Sequence, residues 1–380
     1  MDSLFLNSSK IKIDSLYSAG SSAYQNRQML QAANFFDEAL KLAESIDDID
    51  NIVMIRFWKG DSLLHGNKLR KALEVLAPTL QDTSYRGGIH NIFNTLTTYI
   101  EIAIELPVTY NSINNVFDQS ETFLRNFGRL EWIDKLLHLK GKMNCYRGFY
   151  QEALESAQES WIRWRDDYPG FVADTHMESL IRICINLRDA DMANNYMSEW
   201  KNQENQMPIR RERDINMHKS NIARLEGRFK DSLNWAKRSI IAAEQTDQLY
   251  GSLITLVRAL LCVGENILSR HYLARLLSER HSERGHIRYL VRLIQGDYHL
   301  SCARKAAGLQ PVDDEFGTDF SIPEHISNKK ATLYSLSYAK QAYDSTLTIA
   351  KWIDEQFVCC KYESELSTRY DRLEAMNKQI

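Results

Sequence analysis

Two arginine–histidine pairs are the closest approach to a catalytic arrangement in this chain: Arg213 with His218, and Arg275 with His281. An imidazole can trade a proton with a phosphodiester oxygen while a guanidinium holds the developing charge, and one class of helical ribonucleases uses this Arg-x4–6-His spacing. No second element accompanies either pair, and with 10 histidines in an arginine-rich chain such spacings arise by chance, so nuclease activity is not expected. The histidines form no HExxH, and His281 and His286 have no cysteine or carboxylate at ligand spacing, so neither a metal site nor a cofactor is expected. There is no glycine-rich phosphate loop and no GxSxG, and no strand pattern that would carry either. The acidic pairs Asp47-Asp48 and Asp166-Asp167 sit where helices should end, and are expected to solvate turns. Cys359-Cys360 is expected to pack rather than to react.

Binding chemistry is better represented. Positions 201–240 hold ten lysines or arginines against five acids, and Arg280, Arg284, Arg288 and Arg292 follow at four-residue spacing, which keeps side chains on one slowly rotating helix face. Such a stripe suits phosphates or an acidic partner. Glu279 and Glu283 partly neutralise it and the net charge is −3, so a solvated face is the first expectation. A nucleic-acid-associated or assembly role for the basic face of 201–305 is the alternative.

These residues must be carried by helices. Gly148-Phe149-Tyr150 with Ala153, Gly227-Arg228-Phe229 with Ser232, and Gly296-Asp297-Tyr298 with Ser301 repeat one pattern: glycine, an aromatic two later, a small residue five later. Gly20, Gly60 and Gly141 each precede an alanine by 12 positions (Ala32, Ala72, Ala153), as close packing of two helices in a hairpin requires. Turns within hairpins are expected near Asn26, Gly66, Pro107–Asn111, Gly148, Arg188–Asp191, Gly227, Gly264 and Gly296, about 40 residues apart at first and closer later. Five of the six prolines fall between apolar-periodic segments; Pro78 falls inside Lys71–Leu80 and is expected to end that helix early.

On these glycines, aromatics and small residues the chain resembles the tetratricopeptide repeat family from about Ile13 to Lys305, in the long-repeat form of bacterial regulatory proteins. The segments around Asn91–Asn126 and Thr175–Gln203 lack the glycines and match less well. The resemblance implies an all-α, right-handed α-solenoid of about eight helical hairpins over residues 1–306. Residues 307–327, with two glycines, two prolines and Asp313, Asp314 and Glu315, read as a loop or insertion. Residues 328–380, free of glycine and proline, read as a terminal helical hairpin with a long final helix.

The family register places the first helix of each hairpin on a concave face. Groove-facing positions would include Tyr17, Ser21, Tyr24, Phe57, Asp61, His138, Lys142, Tyr146, Met217, Asn221, Arg224, Ile254 and Arg258. Rings mixed with isolated charges suit an extended or helical segment of a partner, the rings supplying affinity and the polar groups register. The lysine and asparagine set of the co-chaperone carboxylate clamp is absent, so a C-terminal acidic tail is not the expected ligand. The function expected is a non-enzymatic protein–protein interaction scaffold or regulatory adaptor, with the final helix contacting an effector or a second copy.

Composition agrees with a folded body. Hydrophobic residues make up 44%, enough for a sizeable core. The six cysteines show no CxxC spacing and lie among apolar helical neighbours, as reduced thiols do. Met1–Lys10 lacks the pattern of a secretory signal, and the most apolar stretch, Gly251–Leu268, is broken by Arg258 and Glu265. A cytoplasmic protein without membrane contact is therefore expected.

Overall fold

The computed structural model describes residues 3–26, 28–81, 88–129, 132–167, 174–202, 209–244, 249–278, 284–312 and 326–380. No strand occurs among them. The helices are α1 (Ser3–Gln25), α2 (Met29–Ser45), α3 (Ile49–His65), α4 (Leu69–Gln81), α5 (Ile89–Glu105), α6 (Tyr110–Asn126), α7 (Ile133–Arg147), α8 (Tyr150–Asp167) and α9 (Asp174–Asn186). They continue as α10 (Ala190–Asn202), α11 (Ile209–Leu225), α12 (Phe229–Ala243), α13 (Tyr250–Cys262), α14 (Asn266–Ser278), α15 (Gly285–Ala307), α16 (Lys329–Phe357) and α17 (Lys361–Lys378). The fold is an all-α, tetratricopeptide-like helical repeat. It divides into two compact units: unit 1 is Met1–Leu139 with Ser282–Gly285, and unit 2 is Lys140–His281 with His286–Ile380.

Helices α1 to α14 form seven hairpins with one recurring turn. At Asn67, Gly148, Arg188, Gly227 and Gly264 the backbone is left-handed, with φ of 59°, 85°, 60°, 72° and 76°. The next residue then donates its N–H to the carbonyl five positions back, as in Lys68 to Leu63 (2.8 Å), Phe149 to Asn144 (3.0 Å), Asp189 to Cys184 (2.9 Å), Arg228 to Ala223 (2.7 Å) and Glu265 to Leu260 (2.9 Å). That bond satisfies a carbonyl the helix end would leave open. Gln28 to Ala23 (2.9 Å) and Val108 to Ala103 (3.1 Å) repeat the bond in the first and third hairpins, and in the third Pro107 holds the equivalent position.

Seven residues before that turn position comes the residue that packs against the second helix of its hairpin. A Cβ on Gly20 would lie 2.7 Å from the Phe36 ring, one on Gly60 2.5 Å from Leu76, and one on Gly141 3.0 Å from the Ala153 carbonyl. In the sixth hairpin Ser220 takes this place and meets Ser232, again 12 residues on, through hydroxyls 2.9 Å apart. The small residue on the first helix thus marks the close approach of the paired helices, but Gly20 and Gly60 meet Phe36 and Leu76, 16 residues on, while Gly141 and Ser220 meet the residue 12 on.

Two expectations fail. Gly296 is not a turn: α15 runs through it unbroken from Gly285 to Ala307. The glycine is required because the Tyr343 ring of α16 lies where a Cβ would stand. Nor does Pro78 end its helix early, for α4 continues to Gln81. The proline lacks the N–H that would bond the Glu74 carbonyl and its ring crowds that carbonyl, yet α4 runs three residues past it.

Beyond α15, Gly308 turns left-handed (φ 85°), while residues 313–325, including the acidic cluster, lie outside the described residues. The terminal pair follows, and its longer member is the first: α16 has 29 residues and the final helix, α17, has 18. Asn328 caps α16 by accepting from the Ala331 N–H at 3.0 Å. Val358 turns left-handed at its end (φ 51°).

Unit 2 contains more buried charge than hairpin packing needs. The carboxylate of Asp354, near the end of α16, accepts the N–H groups of Tyr362 (3.1 Å) and Glu363 (2.7 Å) and so caps α17. Asp297 of α15 accepts the Tyr343 hydroxyl at 2.8 Å and pairs with Arg369 of α17 at 3.5 Å, all three side chains being buried. Tyr289 donates to Glu365 at 2.9 Å. The turn between α16 and α17 also returns to the turn between α7 and α8. Arg147 donates Nε to the Phe357 carbonyl (2.9 Å), and Lys361 donates Nζ to the Cys145 carbonyl (3.2 Å). Each cation sits on carbonyls at the other helix's C-terminus, where the dipole favours positive charge.

Candidate partner-binding surface

Counting back from the turn position sorts the first helices into faces. Six residues before it stand Ser21, Asp61, Glu101, Lys142, Arg182, Asn221 and Arg258, on α1, α3, α5, α7, α9, α11 and α13 respectively; all seven are half-exposed. Ten before it stand Tyr17, Phe57, Thr97, His138, Glu178, Met217 and Ile254, of which Thr97 and Ile254 are buried and the rest half-exposed. Positions four apart on a helix share a face, so these two rows border one surface along the first helices of each unit.

In unit 1 the surface is aromatic and acidic. Tyr24 donates its hydroxyl to Asp61 at 2.5 Å and turns its ring edge to Trp58, centroids 5.5 Å apart. Phe57 leans on Trp58 at 5.1 Å, and Tyr17 on Phe36 at 5.7 Å. Lys135 of α7 feels the charges of both Asp61 and Glu101, which places those two carboxylates on a common side, and it donates to Asn94 at 3.3 Å.

In unit 2 the same row is cationic: Lys142, Arg182 and Arg258 with the neutral Asn221. Arg182 stands 4.0 Å from Glu178 one turn earlier. Asn186 reaches back to the Cys145 sulfur at 3.7 Å, tying α9 to α7. Tyr146 lies against His286 of α15, rings 4.7 Å apart and Nε2 3.4 Å from the hydroxyl.

Arg224 is the clear departure from the expected set, being only 1% exposed. It stands three before the turn position, where Cys145, Ile185 and Leu261 are also buried, whereas Tyr146 stands two before it and is half-exposed. One residue of slip on a helix rotates a side chain by about 100°. Tyr24 shares the inward position but remains half-exposed. Conversely, Glu101 and Arg182 belong to the row and carry no glycine signal, because Pro107 and Arg188 fill their turns.

Both members of the first arginine–histidine pair are buried. Arg213 is buried against Asp214, with Nε 2.7 Å from its carboxylate, and His218 is 2% exposed with neither ring nitrogen bonded to a described residue. Burial, opposed by Glu178 and reinforced by Arg182 and Arg213, holds His218 down at about 4, so it is neutral and shut from substrate. His281 lies outside the described residues. Asp174 binds both the Trp200 indole (2.9 Å) and Arg211 (2.7 Å), giving further buried charge of α11 a structural use.

Of the arginine stripe, three members lie among the described residues, and Arg284 precedes α15. Arg280 lies outside the described residues, and Arg284 pairs with Glu105 at 3.8 Å within unit 1. Arg288 and Arg292 are exposed on α15, Arg292 donating to Gln295 at 2.9 Å. The apolar stripe of α17, Leu366, Leu373 and Met376, is buried within unit 2. The exposed rings of the terminal pair are Tyr334 and Tyr338 on α16. Of the six cysteines, all free, only Cys145, Cys184 and Cys262 are buried; Cys360 is exposed and Cys359 donates to Asp354 at 3.1 Å. Among the described residues no group of three or more potential metal ligands gathers, and no helix is long and apolar enough to cross a membrane.

The arrangement defines a helical-repeat protein whose first helices present a polar and aromatic surface. Among solved structures it is similar to a Rap protein complexed with competence and sporulation factor: TM-score 0.52, 9% identity, 98% of each chain covered. At that identity the likeness shows the fold alone. A tetratricopeptide repeat protein from Parabacteroides merdae aligns over 92% of this chain and 98% of its own at 8% identity, with a TM-score of 0.36, too low to bear on the fold. No family model matches the sequence, and no curated protein matches it.

Proposed function

We propose that this protein is a non-enzymatic interaction scaffold or regulatory adaptor of the long-repeat tetratricopeptide type, acting in the cytoplasm and binding a peptide or protein segment on the first-helix surface. The observation that carries this reading is the row six before each turn: seven successive first helices each offer one half-exposed polar side chain at the same register. Their stems are held by packing, so little side-chain entropy remains to be lost when their polar ends meet a ligand. Neighbouring rings at Tyr17, Tyr24, Phe57 and Tyr146 supply apolar area. The solved Rap protein of similar fold holds another molecule, competence and sporulation factor, which is in keeping with a binding role.

The row also suggests what is bound. Asp61 and Glu101 in unit 1 favour a basic stretch of partner; Lys142, Arg182 and Arg258 in unit 2 favour an acidic one. Co-purification from native extract identifies the partner, and titration of its binding segment then tests the surface. Alanine at Lys142, Arg182 and Asn221 together should weaken binding more than ten-fold with the helical circular dichroism unchanged. Unchanged affinity in that triple variant rules the surface out.

A further inference from the structure

A second binding feature lies on α10, α11 and α12 and does not depend on the row described above. Trp235 of α12 has the Lys219 ammonium 4.0 Å from its ring centroid and the Arg238 guanidinium 4.7 Å from the same centroid. Lys201, near the end of α10, brings its amine within hydrogen-bonding reach of Lys219. Two ammonium ions cannot make that bond, because neither has a lone pair to accept with. Either one amine gives up its proton or an anion takes a place between them.

No carboxylate relieves the crowding among the described residues. Glu199 of α10 and Glu212 of α11 form no ion pair with any of the three cations, Asp214 is engaged by Arg213, and Asp231 and Glu226 are engaged by Arg228. Burial, with Lys201 and Arg238 adding to it, pushes Lys219 down to about 8, so at neutral pH it is still largely charged and the repulsion stands. Two cations on one aromatic ring, with a third beside Lys219 and no counter-charge among the described residues, leave a place that an anionic ligand would fill.

We propose that Lys201, Lys219 and Arg238, ordered by the Trp235 ring, form a binding site for a dianionic phosphate group, as carried by inorganic phosphate or a phosphate monoester. A tetrahedral dianion offers acceptor oxygens to two ammonium groups and a guanidinium at once, and its charge matches the cluster better than a single carboxylate does. The cluster is compact rather than a track, and a phosphodiester backbone, with one charge per phosphate spread along its length, fits it less well. Trp235 holds Lys219 and Arg238 by cation–π attraction.

Calorimetric titration of the full chain with inorganic phosphate, at constant ionic strength made up with chloride, tests the site. Saturable binding is expected, tightening as pH rises from about 6 to 7.5 and the second phosphate proton leaves. Lys219→Gln and Arg238→Gln should each weaken it at least ten-fold, whereas Lys237→Gln, an exposed neighbour on α12, should leave it unchanged. Should Lys219→Gln fail to fold, Lys201→Gln alters an exposed residue and must show the same loss. O-phosphoserine in the syringe separates a monoester site, which binds it comparably, from one confined to free phosphate. No saturable heat above chloride, or unchanged affinity in Lys201→Gln and Lys219→Gln, overturns the proposal. So does an oligothymidylate that binds more tightly than phosphate with a steep salt dependence lost in the same variants, since the cluster would then belong to a nucleic-acid surface.

Discussion

Unit 1 and unit 2 are built from the same hairpin and are held together differently. In unit 1 the interior is mainly apolar, Ile13, Phe36 and Ile55 in one cluster and Leu69, Leu76 and Ile102 in the next, with Glu105 and Asp134 as its buried acids and pairs such as Lys59–Asp37 (2.6 Å) towards the surface. In unit 2 apolar clusters are joined by buried charge, along α11 and between α15 and α17, and by bonds spanning more than two hundred residues of chain, Arg147 to Phe357 and Lys361 to Cys145. An apolar hairpin stack is locally cooperative and tolerates independent change in each repeat. A buried ionic network is geometrically demanding, because each member leaves a partner uncompensated when it is removed. The comparison teaches that one repeat can be stabilised in two ways, and that the second makes distant parts of unit 2 depend on each other.

The largest expected effect breaks that dependence. Arg369→Ala leaves Asp297 buried without its cation and should destabilise unit 2 by about 3–5 kcal/mol. Chemical denaturation, with hydrogen exchange following α16 and α17, measures it. If exchange in those helices is unaltered, the network is not what holds them.

Acid should also act on unit 2. Burial lowers both His176 and His218 from 6.5 to about 4. These are bases whose folded pKa lies below the unfolded value, so below pH 6.5 the unfolded chain takes up protons that the folded chain refuses. Stability is therefore full above about 6.5 and falls as pH drops towards 4, by about 3 kcal/mol for each histidine. Urea midpoints between pH 7 and 4.5 report this, and His218→Leu should flatten the curve by about half.

In unit 1 the corresponding weak point is steric. Gly60→Ala drives a methyl to 2.5 Å from Leu76 and should cost about 1–3 kcal/mol, read as a lowered melting temperature without change in pH dependence. The smallest effect expected is Tyr24→Phe, which removes the hydroxyl bonded to Asp61 and should cost about 1 kcal/mol. A loss of several kcal/mol there would mean that unit 1 also relies on polar ties, and the contrast would fail.

Much of the hairpin architecture was legible in sequence because its cause is local. A left-handed turn calls for glycine at Gly148, Gly227 and Gly264, and a close helix approach calls for Gly20, Gly60 and Gly141. The same reasoning misplaced a turn at Gly296, since a glycine required by a neighbouring helix looks identical in sequence to one required by its own backbone. Of the candidate surface, Tyr17, Phe57, Asp61, His138, Lys142, Asn221 and Arg258 could be found by counting back from a turn. Glu101 and Arg182 were hidden because proline and arginine occupy their turns, and Arg224 was misread because one step of register separates a half-exposed place from a buried one.

The sequence by itself determined the repeat: the helices, their pairing and the register of the outward row, because these depend on residues within about forty of each other. Only the tertiary structure decided which charges are buried, that Gly296 serves Tyr343, that Arg147 bonds the end of α16 and Lys361 the end of α7, and that Lys219 and Arg238 meet on one indole. Those outcomes depend on groups brought together from different helices, and neither composition nor periodicity encodes the distance between side chains that the chain itself keeps apart.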